Sequence, residues 1–285
     1  MTAGRGLVVA TWNIRAAIGT GPFPSFWWRH IDRGRLAEIG AFIAGLEADV
    51  VALQEVGLIS ADGVAFELPG DLARMTGLEP RYGAVHTFPV VDPTSGAQTG
   101  AGLWGNAILS RHPIAATATI ALPRAEDDEL VEPAGSGGPR AGVRYGDAEA
   151  GAREARCAVR CDVAAPALGV TVISTHLTYA GSGQRERQAR ILASIADDAH
   201  GPVVLAGDLN APIEAPELAV LRDAFVDAFA ATGTPAGDRG RESCGVDRID
   251  HLLVRGLGAT SCRVAREARD LSDHWPVIAT FEPSA

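Results

Sequence analysis

The segment PVVLAGDLNAP, residues 202–212, says most about the architecture of this chain. A short apolar run stops abruptly at Asp208, and Asn210 follows two residues later. A continuous apolar run of this length predicts a strand that is buried within an α/β sheet. The polar pair then lies where an open α/β sheet delivers side chains into the crevice at its carboxyl edge.

The same order recurs along the 285 residues. Strand-like runs alternate with amphipathic helices, which predicts a single α/β domain over residues 1–285. Strands are expected at residues 7–13, 50–55, 106–110, 155–163, 170–176, 202–208, 248–254 and 276–282. Helices are expected over residues 32–47, over residues 184–199 and from Pro216 onward, because apolar residues recur there on one face. On the second helix, Arg185, Arg187 and Arg190 are expected to form a solvated face.

Residues 123–151 interrupt this order. They are rich in Gly, Pro, Asp and Glu with little periodicity, which predicts a long flexible insertion. The segment is interpreted either as a solvated surface loop or as a flap over the substrate. It is not a domain linker, because neither half of the chain alone holds the polar set described below.

Composition and charge limit the class of protein. The hydrophobic share of 47% is ample for a packed core. No run approaches the length of a membrane span, and the first residues lack a secretory signal, so we expect a cytoplasmic protein. Four cysteines are too few to staple a domain of this size, so we expect reduced thiols. We also expect a monomer. All 25 basic residues are Arg, which excludes chemistry that needs a lysine amine. The net charge of −10 speaks against a broad basic surface for nucleic acid, although carboxylates that hold cations would offset it.

Polar residues close several of the predicted strands. The set consists of Asn13, Glu55, His176, Asp208, Asn210, Asp250, Asp273 and His274. Any one of them alone is more often a helix cap or a turn residue than a catalyst. Independent turns would rarely supply all of these residue types together, so the set predicts one site. By contrast, four histidines fit no motif and are assigned to the surface or to packing: His30, His86, His112 and His200.

The residue types favour phosphate chemistry. Oxygen ligands from Asn13, Glu55 and Asp273 suit Mg²⁺ or Mn²⁺, and a cation held there polarises a phosphoryl oxygen. Asp208 is suited to orient and deprotonate a water while the Asn210 amide fixes the phosphate.

Two histidines complete the set. If Asp250 holds His274, the imidazole stays protonated at neutral pH and donates to the same phosphate oxygens. His176 offers a second donor.

Seven segments together resemble the motif series of the endonuclease/exonuclease/phosphatase superfamily, which includes deoxyribonuclease I. In the family order they are TWNIR, LQEV, GNAILSR, STHLT, GDLNAP, RIDHLLV and SDHWPV. The resemblance implies a four-layer α/β/β/α sandwich, in which two mixed β-sheets pack face to face with helices outside. It also implies hydrolysis of phosphate esters with Mg²⁺ or Mn²⁺.

The resemblance further implies roles for matching positions. Glu55 would be the principal metal ligand, with Asn13 and Asp273 beside it. Asp208 and Asn210 would orient the nucleophile and hold a second metal.

For the acid–base residues, the resemblance makes Asp250 the residue that orients His274, and His176 the second catalytic histidine. Glu154, in the segment REAR, would support His176, and Arg156 is a candidate phosphate contact. Asn210, His176 and His274 are the other candidate phosphate contacts.

Two features depart from deoxyribonuclease I. After QEV, that enzyme has an arginine that enters the DNA minor groove, whereas position 57 here is Gly. The segment GPFPSFWWRHIDRG, residues 21–34, matches nothing in the series. Its aromatic residues Phe26, Trp27 and Trp28 are interpreted either as a wall for a base, a sugar or a lipid chain, or as packing that anchors the start of a helix.

The sequence therefore predicts a metal-dependent phosphoric ester hydrolase, either a phosphodiesterase or a phosphatase, whose substrate is a small molecule or nucleic acid. A DNA or RNA endonuclease or exonuclease is one alternative. A non-catalytic binding protein on the same fold is an alternative from another class.

Overall fold

The computed structural model describes residues 6–22, 24–61, 63–124, 154–165, 168–179 and 181–283. The flexible insertion expected at about residues 123–151 lies outside the described residues, except for its first two positions. Within the described ranges, no helix is long and apolar enough to cross a membrane. The four cysteines are free thiols, as expected.

The strands and helices follow the predicted order, with additions. The strands are β1 (Leu7–Asn13), β2 (Val50–Ala61), β3 (Val64–Glu67), β4 (Glu79–Val91), β5 (Gln98–Ser110), β6 (Ile114–Ala121), β7 (Cys157–Ala165), β8 (Leu168–His176), β9 (Val203–Asp208), β10 (Val226–Asp227), β11 (Asp250–Arg255), β12 (Leu257–Val264) and β13 (Val277–Pro283). The helices are α1 (Arg33–Gly45), α2 (Leu68–Thr76), α3 (Ser182–Asp197), α4 (Ala219–Ala224) and α5 (Ala228–Ala231). All eight expected strands are present, whereas β3, β4, β6, β10, β12, α2 and α5 were not expected.

The strands form two mixed sheets. The first has the order β12-β13-β1-β2-β5-β4, with β3 paired to β2, and the second has the order β10-β11-β9-β8-β7-β6. Strand β1 is parallel to β2, and β8 is parallel to β9. The other described strand pairs are antiparallel.

Alternation along the strands creates three cores and four layers. In β1, Val9 faces the core between the two sheets, whereas Trp12 faces the core beneath helices α1 and α2. In β9, Val204 faces the core between the sheets, whereas Leu205 packs beneath α3 and α4. The chain is therefore the four-layer α/β/β/α sandwich that the sequence predicts.

The polar face of α3 corrects one expectation. Arg185 is buried, and its guanidinium donates to the Glu217 carboxylate over 2.7 Å and to the Tyr179 carbonyl. Gln188 is also buried; it accepts from the backbone N–H of Thr178 and donates to the carbonyl of Pro123. The expectation that Arg185 is solvated was wrong. Its partner Glu217 lies 32 residues farther along the chain, so the pattern of the helix alone could not reveal the ion pair. This face of α3 holds the loop that follows β8.

Gly207, directly before Asp208, is required by the packing of β9 against β8. A Cβ at Gly207 would lie 2.0 Å from the carbonyl oxygen of Thr175, a backbone atom that cannot yield without moving β8. We predict that Gly207→Ala lowers the free energy of unfolding by about 1–3 kcal/mol, measured by urea denaturation. Gly169→Ala is the matched control, because nothing lies within 4 Å of its Cβ position. Equal effects of the two substitutions would contradict this account.

Candidate active site

Strand alternation directs the predicted residues into one gap. Val9 and Ala206 face the core between the sheets. Asn13 and Asp208 lie an even number of residues farther along the same strands, so they point into that gap at its end. His176 ends β8 in the same way, four residues after the inward-facing Val172.

Strand register then aligns three of the polar residues in a row. His176 lies opposite Asp208 across the β8–β9 pair, and Asp208 lies opposite Asp250 across the β9–β11 pair. All three side chains are almost completely buried. The register of three adjacent strands therefore concentrates two carboxyl groups and an imidazole at one edge of the second sheet.

Glu55 reaches the site through an irregularity in β2. The pairing of β2 with β5 shifts register between Leu53 and Val56, and Glu55 has a φ of 53°. A residue other than glycine in this left-handed region is strained, and such strain is often found at functional sites. The turn brings the Glu55 carboxylate to 2.9 Å from the amide nitrogen of Asn13.

The loop at residues 272–274 is tied to β1 at two points. The Ser272 hydroxyl donates to the carbonyl of Asn13 over 2.8 Å, and the indole of Trp12 donates to the carbonyl of His274 over 2.9 Å. These bonds join segments about 260 residues apart in sequence. They place Asp273 and His274 against the site.

Asp208 is the centre of the polar cluster. Its Oδ2 lies 3.2 Å from the Asn13 amide nitrogen, 3.4 Å from His176 Nε2 and 3.7 Å from His274 Nε2. Its Oδ1 accepts the backbone N–H of Asn210 over 2.9 Å. A carboxylate that is only 1% exposed needs such partners to stay ionised. Asp208 is thus placed to accept a proton from a water in the gap.

Asn210 is fixed beside His176. It has a φ of 52°, and its side-chain nitrogen lies 2.9 Å from His176 Nε2 and donates to the carbonyl of Leu177 over 2.9 Å. This second left-handed residue places the Asn210 amide where it can contact a bound phosphate oxygen.

Asp250 contacts His274. Its Oδ2 lies 2.8 Å from His274 Nδ1 and accepts the Ser243 hydroxyl over 2.7 Å. Burial lowers the pKa of His274, but the Asp250 carboxylate and the Cys244 sulfur raise it, so that the pKa lies well above its ordinary value. His274 therefore carries a positive charge at neutral pH and can donate from Nε2.

Glu55 and Asp273 form the carboxylate pair predicted to hold a cation. Burial of the Glu55 carboxyl raises its pKa, and the nearby Asp273 charge raises it further. A carboxyl whose pKa is raised by a neighbouring carboxylate is stabilised in its charged form by a cation, so the pair fits Mg²⁺ or Mn²⁺. Arg15, which the sequence did not single out, is buried with Nε 3.4 Å from Asp273 Oδ2 and holds this carboxylate.

The side-chain amide of Asn13 does not have the orientation that a metal ligand needs, because its nitrogen and not its oxygen faces the carboxylates. Its Oδ1 accepts the backbone N–H of Arg15 over 3.1 Å, while its Nδ2 points to Glu55 and Asp208. Its amide must turn over before its oxygen can bind a cation. A further cluster of possible ligands is formed by Asp208, Asp250 and His274, whose ligand atoms lie within 4.8 Å of one another.

Glu154 and Arg156 lie at the edge of the site. The Arg156 guanidinium donates to Glu154 over 3.0 Å, and both residues line a small cavity of about 10 Å³ together with His176. Arg156 is 6% exposed, and its Nε has no hydrogen-bond partner among the described residues. The support of His176 by Glu154 stays a prediction.

One protein family and several solved structures match this chain. A model of the Endonuclease/Exonuclease/phosphatase family matches residues 10–274. No curated protein matches the chain. Among solved structures, an endonuclease/exonuclease/phosphatase from Beutenbergia cavernae is 25% identical with a TM-score of 0.67, covering 99% of this chain and 72% of its own.

Two more distant structures share the fold. An endonuclease/exonuclease/phosphatase from Bacteroides vulgatus is 19% identical, covers 99% of this chain and 100% of its own, and has a TM-score of 0.61. The human nocturnin catalytic domain, solved with a bound sulfate anion, is 16% identical, covers 98% of this chain and 94% of its own, and has a TM-score of 0.62.

The pairing of Asp250 with His274 predicts a measurable shift. Asp250→Asn removes the negative charge that raises the pKa of His274, so that pKa should fall. NMR titration of the histidine ring nitrogens measures it. Asp223→Asn, which neutralises an exposed carboxylate of α4, is the control and should leave the His274 titration unchanged. An unchanged His274 titration would show that the pair does not form.

Proposed function

Since this chain belongs to the endonuclease/exonuclease/phosphatase family, whose members are generally hydrolases of phosphoester bonds, we propose that it is a divalent-metal-dependent phosphodiesterase or phosphatase. One observation carries the proposal. A single oxygen of Asp208 faces two histidines and the Asn13 amide, next to the carboxylate pair of Glu55 and Asp273.

Each residue of the site has a separate role in hydrolysis. Glu55 and Asp273, with Asn13 turned over, would hold Mg²⁺ or Mn²⁺, which supplies positive charge against the phosphoryl oxygens. Asp208 takes the proton of the attacking water as the new bond from oxygen to phosphorus forms and the ester bond breaks. Asn210 orients the phosphate beside this water.

Hydrogen-bond donors contact the phosphate oxygens. Protonated His274 donates from Nε2, and His176 donates once its Nε2, which faces the Asn210 amide nitrogen, is protonated. Arg156 contributes a guanidinium at the edge of the site. The human nocturnin domain, which shares this fold, binds sulfate, an anion with the shape of phosphate.

The net charge of −10 favours a small phosphate ester over a long nucleic acid. A DNA or RNA nuclease is the second candidate, because the family includes endonucleases and exonucleases. A monomeric state and a cytoplasmic location stay predictions.

We predict that the purified protein hydrolyses bis(p-nitrophenyl) phosphate with Mg²⁺ or Mn²⁺ and that a chelator abolishes the reaction. Asp208→Asn keeps the shape of the side chain but removes the base, so kcat should fall by at least ~10²-fold. Release of p-nitrophenolate is followed by absorbance. Asp223→Asn, an exposed carboxylate of α4, is the control and should keep the wild-type rate. Activity that persists in chelator and in Asp208→Asn would refute the proposal.

The same preparation separates the alternatives. A nuclease should nick plasmid DNA, with an affinity that falls steeply as the salt concentration rises. Hydrolysis of small esters without any nicking would exclude the nuclease alternative. A non-catalytic binding protein should hydrolyse neither. Calorimetric titration with Mg²⁺ then shows whether such a protein still binds the cation, and Glu55→Gln should weaken that binding.

A further inference from the structure

Arg15 contacts one of the predicted metal ligands from inside the protein. Its side chain is only 3% exposed, and it follows Asn13 by two residues at the end of β1. The proposed hydrolysis assigns it no role. A buried guanidinium is costly unless its donors have partners, so the partners of Arg15 indicate what it does.

The guanidinium of Arg15 joins two loops. Its Nε lies 3.4 Å from Oδ2 of Asp273, its Nη1 donates to the carbonyl of Gly19 over 2.7 Å, and its Nη2 donates to the carbonyl of Gly21 over 2.8 Å. Each of the three nitrogens therefore has a different partner. Gly19 also forms a parallel bridge with Ser272, so the loop after β1 lies beside the loop of Asp273.

The backbone at Arg15 is strained. Arg15, Ala16 and Ala17 have φ values of 47°, 48° and 60°, all in the left-handed region, and all three residues are buried. Strain of this kind costs on the order of 1–3 kcal/mol for each residue and persists only where the surrounding structure fixes it. The bonds from the guanidinium to the carbonyls of Gly19 and Gly21 close the turn on itself. Arg15 is therefore held in one orientation.

The loop after β1 is anchored at its far end as well. The backbone N–H of Asp32 donates to the carbonyl of Ala17 over 3.3 Å. Trp28, from the segment that the sequence left unassigned, is buried in the core beneath α1 and α2. The loop that receives the Arg15 bonds is thus fixed to the packed core.

The two oxygens of Asp273 face different groups. Oδ2 faces the Arg15 guanidinium, whereas Oδ1 lies 4.0 Å from Nε2 of His274. The same Nε2 faces Asp208. A carboxylate with one oxygen held by a fixed partner cannot rotate freely, so Arg15 keeps Oδ1 of Asp273 directed into the site.

The charge and the geometry of Arg15 have opposite effects on a bound cation. A positive group 3.4 Å from a carboxylate competes with the cation for it, so the charge alone weakens cation binding. A partner that fixes the orientation of a ligand strengthens binding, and loss of such a partner typically costs 10–100-fold in metal affinity. Removal of the guanidinium therefore shows which effect is larger.

We propose that Arg15 is a positioning residue of the metal site, which strengthens the binding of Mg²⁺ or Mn²⁺ by holding the Asp273 carboxylate, even though it carries a positive charge itself. The inference rests on the proposed function, because it takes Asp273 as a metal ligand. It gives Arg15 a role in binding the cation and none in proton transfer.

Calorimetric titration of chelator-treated protein with Mg²⁺ or Mn²⁺ tests the sign of the effect. Arg15→Met, which keeps most of the length of the side chain but neither its charge nor its donors, should weaken binding about 10-fold. Loss of the charge alone would strengthen it. Arg15→Lys should bind with intermediate affinity, because its ammonium keeps the charge but offers one nitrogen to three partners.

Kinetics separate this role from a general loss of structure. The Mg²⁺ concentration that gives half of the maximal rate should rise in Arg15→Met, whereas kcat at saturating Mg²⁺ should stay close to the wild-type value. A disturbed fold would lower kcat at every Mg²⁺ concentration. Unchanged Mg²⁺ affinity with a lower kcat would contradict the positioning role.

Arg35→Met is the matched control. Arg35 belongs to α1 and donates to the same loop, at the carbonyl of Ala17 over 3.4 Å. This variant also removes a guanidinium that contacts the loop, but it should keep the wild-type affinity for Mg²⁺. Thermal melting checks that each variant is folded. If Arg15→Met is not, Arg15→Lys decides, because weaker binding supports the positioning role and equal or tighter binding overturns it.

The outcomes distinguish this inference from the proposed function. Binding of Mg²⁺ by folded Arg15→Met that is as tight as in the wild type, or tighter, would overturn the positioning role alone. A wild-type protein that binds neither Mg²⁺ nor Mn²⁺ would overturn the proposed function, and the role of Arg15 with it.

Discussion

The structure depends on one buried carboxylate held between two sheets. Asp208 ends β9 almost without solvent, and a charge in that position is costly unless donors surround it. Its donors come from both sheets, because Asn13 belongs to the first and His176 to the second. The chemistry and the packing of the two sheets are therefore parts of the same arrangement. The residues at the end of the gap between the sheets are also the polar partners of Asp208.

Strain and tethering support this arrangement. Glu55 and Asn210 both have a left-handed backbone, which costs on the order of 1–3 kcal/mol for each residue. Their conformations persist because neighbouring groups fix them: the Asn13 amide holds Glu55, and the Asp208 carboxylate holds the Asn210 backbone. Ser272 secures the loop of Asp273 to β1 in the same way. Apart from the Asn13 amide, which must turn over to bind a cation, these residues are thus in place before a substrate arrives, as transition-state stabilisation requires.

The residues around the site differ in chemical type from those at its centre. The centre concentrates carboxylates and histidines, whereas the bordering hairpin of β4 and β5 is aromatic and carries little charge. Gly57 connects the two regions, because its missing side chain leaves room for Trp104 only two residues from Glu55.

Local sequence patterns were enough to predict the strands that carry the site and the side chains that end them, because an apolar run and its alternation are local properties of the chain. Asp208, Asp250, His176 and His274 could be predicted for that reason. Three features became visible only in the folded chain: the bulge that turns Glu55, the buried pairing of Arg15 with Asp273, and the position of Trp104 beside Arg156. Strands β4 and β6 escaped prediction because both are largely or partly exposed and lack a continuous apolar run. These features arise from contacts between segments far apart in sequence, and no local pattern encodes the partner.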